Sequence, residues 1–137
     1  MGYPKKYRPS EAPTEIVALV DQLVPRLIEG DHPALQTLRE QYRSALIRDV
    51  ELTGVGFFVH FEIARGCLTT TPLNFAGGSA SIEISSAPNG AGCVLFVRGG
   101  LLSLFEGYTY GDEQWSEDAK VLSVKDVIPI RPEVERR

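Results

Sequence analysis

Few residues in this chain are equipped for chemistry. Its 137 residues include two histidines and two cysteines. His60 alternates with Phe58 and Glu62 along one apolar-rich run, whereas His32 opens a helical stretch, where solvent exposure or local capping accounts for it. A Cys–His nucleophile pair needs a thiol beside the imidazole and a third group to orient it. Cys93 reaches His60 only if its strand lies beside residues 57–64, and no spacing supplies the third group. The histidines are far apart, without the cysteine or carboxylate spacing of a tetrahedral metal site. Glu106 with Asp112 or Glu113 would make a carboxylate pair for glycoside chemistry, but a single tryptophan gives little sign of a sugar cleft. Gly54 and Gly56 begin a nucleotide-loop pattern that fails at Val59, where the third glycine belongs, and a strand follows rather than a helix. No catalytic, cofactor-binding or metal-binding residue is therefore expected.

The segment Gly92–Trp115 carries more information. Two apolar runs joined by Gly99 and Gly100 read as a β-hairpin, followed by an aromatic and acidic stretch that ends in the only tryptophan. Between Gly92 and Ala119 the acids Glu106, Asp112, Glu113, Glu117 and Asp118 face one base, Arg98. Alternation puts Leu102, Leu104, Glu106, Tyr108 and Tyr110 on one face. A plain reading is a solvated loop after the hairpin. The functional reading is a recognition surface of Glu106, Tyr108, Tyr110, Asp112, Glu113 and Trp115, whose rings offer rigid contact area while the acids select a basic partner. The alternative is a small-ligand or minor enzymatic pocket between helices and sheet, lined by Phe58, His60 and Glu62 with Tyr108. Homodimerisation through an exposed edge strand is a third possibility.

The elements that position these residues are readable from periodicity. Ile16, Leu19, Val20, Leu23 and Leu27 recur at helical spacing, with Thr14 as the expected cap, Pro25 as an expected kink or restart and Gly30 as the stop. Asp31 is the expected cap of a second helix, whose buried stripe is Leu35, Leu38, Tyr42, Ala45 and Leu46. From Ile47 the period changes to two. Val50 and Leu52 share one face, a glycine turn spans 53–56, and Phe57, Val59, Phe61 and Ile63 define the clearest strand. Ala80, Ile82 and Ile84 alternate again, Asn89-Gly90 signals a turn, and a short edge strand is expected near 121–124.

Helices first and strands afterwards imply an α+β fold, with two N-terminal helices packed on one face of an antiparallel sheet of about five strands. The expected organisation is a flexible tail at 1–13, a single domain at 14–130 and a frayed C-terminus at 131–137. A net charge of -4 argues against a nucleic-acid partner. No apolar run is long enough to span a bilayer, and the N-terminus lacks the apolar core of a signal peptide. A cytoplasmic location follows as the expectation; it disfavours a Cys67–Cys93 disulfide, and the sequence leaves their redox state open.

The words T-G-V-G-F-F-V-H-F-E (53–62) and A-G-C-V-L-F-V-R-G-G-L-L-S-L-F-E-G-Y-T-Y-G-D-E-Q-W (91–115) resemble a group of small uncharacterised bacterial proteins. These share a G-V-G-F-F segment and a V-L-F-V-R-x-G-x-L hairpin ending in E-G-Y-T-Y-G-D-E-x-W-P. Ser116 stands here where the group has proline, and V-H replaces T-x-F in the first segment. The resemblance implies a bacterial, cytoplasmic, single-domain protein and carries no activity or site. The leading functional expectation is a non-catalytic protein-interaction domain of the immunity or antitoxin-partner kind.

Overall fold

Two apolar stripes make the helices. The computed structural model describes residues 2–75 and 77–132, with α1 at Thr14–Leu27 and α2 at Pro33–Ser44. α1 buries Ile16, Leu19, Val20, Leu23, Val24 and Leu27, a three-and-four spacing that keeps one side dry. Thr14 is the first helical residue and makes no side-chain cap. Its neighbour Glu15 instead accepts the Val121 N–H at 2.9 Å. Pro25 lies inside the last turn, and the helix ends two residues later at Leu27 with no restart. His32, rather than Asp31, caps α2: its Nδ1 accepts the Ala34 N–H at 3.0 Å, which requires that nitrogen to be unprotonated. α2 buries Ala34, Leu35, Leu38 and Gln41, while Leu46 leaves the expected helical stripe and is exposed in the next strand.

Among the described residues the sheet has seven antiparallel strands rather than about five: β1 (Lys5–Tyr7), β2 (Leu46–Leu52), β3 (Gly56–Glu62), β4 (Gly78–Ile84), β5 (Ala87–Arg98), β6 (Leu101–Thr109) and β7 (Val121–Ile128), in the order β1-β2-β3-β6-β5-β4-β7. β1 forms inside the segment expected to be a flexible tail, by pairing with Leu52, Glu51 and Val50. Glu117 holds it from the far end of the chain, through Lys5 Nζ at 2.6 Å and the Tyr7 hydroxyl at 2.5 Å. Burial raises the Tyr7 phenol, and the Glu117 bond and charge take it further, to about 12. A three-residue strand between prolines has too little alternation to be read from sequence. Of the expected C-terminal fray, residues 133–137 lie outside the described residues.

Bulges account for the other departures. The β4–β5 turn falls at Ser85-Ser86, not at Asn89-Gly90. Two steps along β4, Ile82 to Ile84, face four along β5, Ala91 to Ala87, so Asn89 and Gly90 sit in a bulge, Gly90 at φ +85°. In β6 the pairs Phe96–Leu104 and Val97–Leu102 leave Ser103 as an extra residue. That one residue puts Leu102 in the core and Leu104 on the opposite face, where simple alternation had put both together.

The core lies between the helices and one face of the sheet. Val50, Leu52, Phe57, Val59, Phe61, Ala80, Ile82, Ile84, Cys93, Leu95 and Phe105 meet the helical stripes in one cluster. Phe57 lies across from Gly107, where an added Cβ would come within 2.2 Å of the ring, so the glycine is what lets the aromatic lie flat on its neighbour strand. Gln41, only 1% exposed, ties α2 to the β5–β6 turn. Its amide donates to Leu68 O and Gly100 O, both at 2.9 Å, and its Oε1 accepts the Leu102 N–H at 2.9 Å. No helix among the described residues is long and apolar enough to cross a membrane.

Candidate functional site

Alternation leaves the second face of the sheet without a helix on it. The inward residues of β2 to β6 pack with α1 and α2, and their neighbours point away. Register fixes who stands beside whom. Glu51, Phe58, Glu106, Val94 and Ser79 form one row across β2, β3, β6, β5 and β4. The next row is Asp49, His60, Leu104 and Phe96, and on the other side Gly56, Tyr108, Gly92 and Ser81. Glu106 therefore has Phe58 and Val94 at its sides, and Leu104 and Tyr108 before and after it on its own strand.

The two residue sets that the sequence offered as alternatives share this face in part. Phe58, His60 and Glu62 were expected to line a pocket between helices and sheet, but the open cavity there, about 620 Å³, is lined by Val20, Tyr42, Ile47 and Phe61 and by none of the three. They lie on the open face instead, with the Phe58 and His60 rings 6.2 Å apart. His60 Nδ1 is 2.7 Å from Asp49 Oδ1, and Arg48 Nε is 3.2 Å from Asp49 Oδ2. Burial raises the Asp49 carboxyl, but the bonds from His60 and Arg48 outweigh it and hold the group below its ordinary value. Asp49 is the partner that sequence reasoning missed. Its outward alternation beside His60 was legible, whereas the bulge at Arg48 that aligns the two was not.

The recognition set divides three ways. Glu106, Tyr108 and Tyr110 stand on the open face, Glu106 half-buried, Tyr108 37% and Tyr110 50% exposed. The tyrosine rings meet edge-on at 5.8 Å, and the Tyr110 and Ser81 hydroxyls are 2.9 Å apart. Tyr108 lies over Gly92, where an added Cβ would come within 2.8 Å of its hydroxyl end. Burial raises the Tyr108 phenol, and Tyr110, Cys93 and Glu106 raise it further. Asp112 is exposed at φ +62°, and Glu113 is turned inward, where Oε2 accepts the Asn89 amide at 2.6 Å. Trp115 leaves the set altogether: it is 2% exposed and belongs to the core, its ring edge-on to Phe57. Its backbone N–H donates to Gly54 O at 2.9 Å, which ties the loop after β6 to the 53–56 turn.

One corner of the face is concave. The β5 bulge and β7 wall an open groove of about 530 Å³ over β4, lined by Ser81, Glu83, Asn89, Tyr110, Lys125 and Asp126. Both cysteines are free, Cys93 buried on the inner face and Cys67 half-exposed in the β3–β4 connection. Burial pushes the Cys93 thiol far above its ordinary value, which keeps it protonated and unreactive. No group of three or more histidines, cysteines or carboxylates among the described residues converges to hold a metal ion. No protein-family model, curated protein or solved structure matches this chain.

Proposed function

We propose that the protein is a non-catalytic interaction domain that docks a partner with a basic surface on the open face of its sheet. The observation that supports this most is the helix-free face itself, where Phe58, Val94, Leu104, Phe96 and Tyr108 surround Glu106. An apolar and aromatic centre with a charged group inside it is the anatomy of a protein interface. Glu51 and Glu62 extend the acidic character toward β2, matching a basic counterpart. An immunity protein that blocks a basic toxin is one form such a domain takes.

The sheet edges favour the face over edge pairing. β1 is three residues long and carries Lys5 and Lys6 next to Pro4. β7 is broken by register shifts at both ends, with Asp126 at φ +54°. Short strands, edge lysines and bulges are how sheets discourage further strand addition.

Selection from a random peptide display library against the immobilised protein tests the reading without a known partner. Peptides rich in Arg or Lys flanked by apolar residues are expected, released by high salt and lost on Phe58→Ala or Tyr108→Ala. Peptides without basic residues, or binding unaffected by both substitutions, would contradict it. A small-ligand role draws support from the groove at Ser81 and Tyr110, one of several cavities whose volumes fall in the range of ligand pockets. A fragment screen read at the Ser81 and Lys125 amides tests that second reading, and no saturable fragment there removes it.

A further inference from the structure

The identity of the partner's central side chain can be read from what surrounds Glu106, an inference that rests on the docking reading above. Phe58, Val94, Leu104 and Tyr108 occupy the four positions nearest it in the sheet, and none carries a charge. Directly opposed side chains in a sheet stand about 5 Å apart, so the carboxylate emerges among apolar groups that limit its hydration. A carboxylate so placed favours a cation that brings hydrogen bonds with it.

No cation among the described residues is paired with Glu106. Arg98 lies over the Phe96 ring at 5.7 Å, and Lys125 is 4.0 Å from Glu83. Lys5 is paired with Glu117 and Arg48 with Asp49. His60, diagonal to Glu106, directs Nδ1 to Asp49, and Lys6 stands opposite Glu51 at the edge. Glu106 is half-buried, within reach of a side chain arriving from outside.

We infer that Glu106 is the seat for an arginine of the partner, held between the Phe58 and Tyr108 rings. A guanidinium suits this setting better than an ammonium. It is planar and weakly hydrated, stacks on aromatic faces, and meets a carboxylate with two parallel N–H donors. A lysine brings a strongly hydrated point charge, which must be stripped of water to enter the same surroundings. Arginine at the centre of an interface, ringed by apolar contacts that exclude water, is also a frequent energetic anchor.

The test is an NMR titration of the backbone amides with N-acetyl-arginine amide, N-acetyl-lysine amide and N-acetyl-citrulline amide at low salt. The arginine compound is expected to shift amides of β3, β6 and β5 around Glu106 and to saturate. The lysine compound should bind about fivefold more weakly and citrulline not at all. Glu106→Gln should weaken arginine binding about tenfold, while Glu40→Gln, on α2, leaves it unchanged. Equal response to arginine and lysine, shifts scattered over all surface acids, or arginine binding that survives Glu106→Gln overturns the assignment. Comparing ligands on the unaltered protein keeps the test decisive even if a variant folds poorly. Display peptides that map to the open face without using Glu106 remove the arginine seat and leave the docking reading standing. Peptides that avoid the face remove the docking reading whatever the arginine result.

Discussion

Trp115 meets Phe57 edge-on, with ring centroids 4.9 Å apart and planes at 84°, and Phe57 in turn leans on Phe105 at 5.9 Å. This places the chain's only tryptophan in the core, so the last residue of the aromatic and acidic segment builds the fold rather than the recognition surface. Trp115→Ala should cost about 3–5 kcal/mol, because it removes a large buried ring and leaves a cavity beside Phe57. Tyr108→Ala, on the open face, should cost about 1 kcal/mol or less. Urea unfolding of the two variants checks the contrast; similar losses would put Trp115 outside the core.

Gln41 is the polar counterpart of that packing. Its replacement by leucine keeps the volume but leaves the Leu102 N–H without its acceptor in a dry place. A loss of about 1–3 kcal/mol is expected. Faster hydrogen exchange at the Leu102 amide should accompany it, because the β5–β6 turn is no longer tied to α2. A global loss with unchanged Leu102 exchange would mean that the bond does not hold this turn.

How much of this was legible in the sequence follows from period. Val50, Leu52, Phe57, Val59, Phe61, Ala80, Ile82 and Ile84 alternate cleanly, and all point inward as expected. The helical stripe of α1 is equally direct. What failed was mostly what depends on bulges. The one-residue bulges at Arg48 and Ser103 shift the parity of everything beyond them, the two extra residues at Asn89-Gly90 move the turn without changing parity, and no composition signal marks a bulge as distinct from a turn. The candidate site was half legible for the same reason. Leu104, Glu106 and Tyr108 were placed together on one face, as they are, but Leu102 leaves that face through the Ser103 bulge. Trp115 was misplaced because aromatic residues serve cores and interfaces alike, and the contacts that bury it, with Phe57 and the 53–56 turn, are distant in sequence.

The Asp49–His60 contact gives the open face a pH signature. The folded-state carboxyl lies below its ordinary value. Its contribution to stability is therefore complete above the unfolded value, near about 3.9, and is lost as pH falls through the lower folded value. Asp49→Asn should destabilise the protein at pH 7, and the gap between the two proteins should close as pH drops below about 4. Urea midpoints across that range measure it; a gap that persists at low pH would mean that the pair contributes through shape rather than charge.

The account of Glu106 as an arginine seat comes down to one charge. In a double-mutant cycle, a display-selected peptide is titrated against the protein and against Glu106→Arg, with its central arginine kept or changed to glutamate. Each single change should cost about 2 kcal/mol or more. The doubly changed pair should recover at least about 1 kcal/mol of that loss, because a carboxylate again faces a guanidinium across the same apolar ring. Costs that simply add, with no recovery in the swapped pair, would contradict the account and leave Glu106 a surface acid with no counterpart.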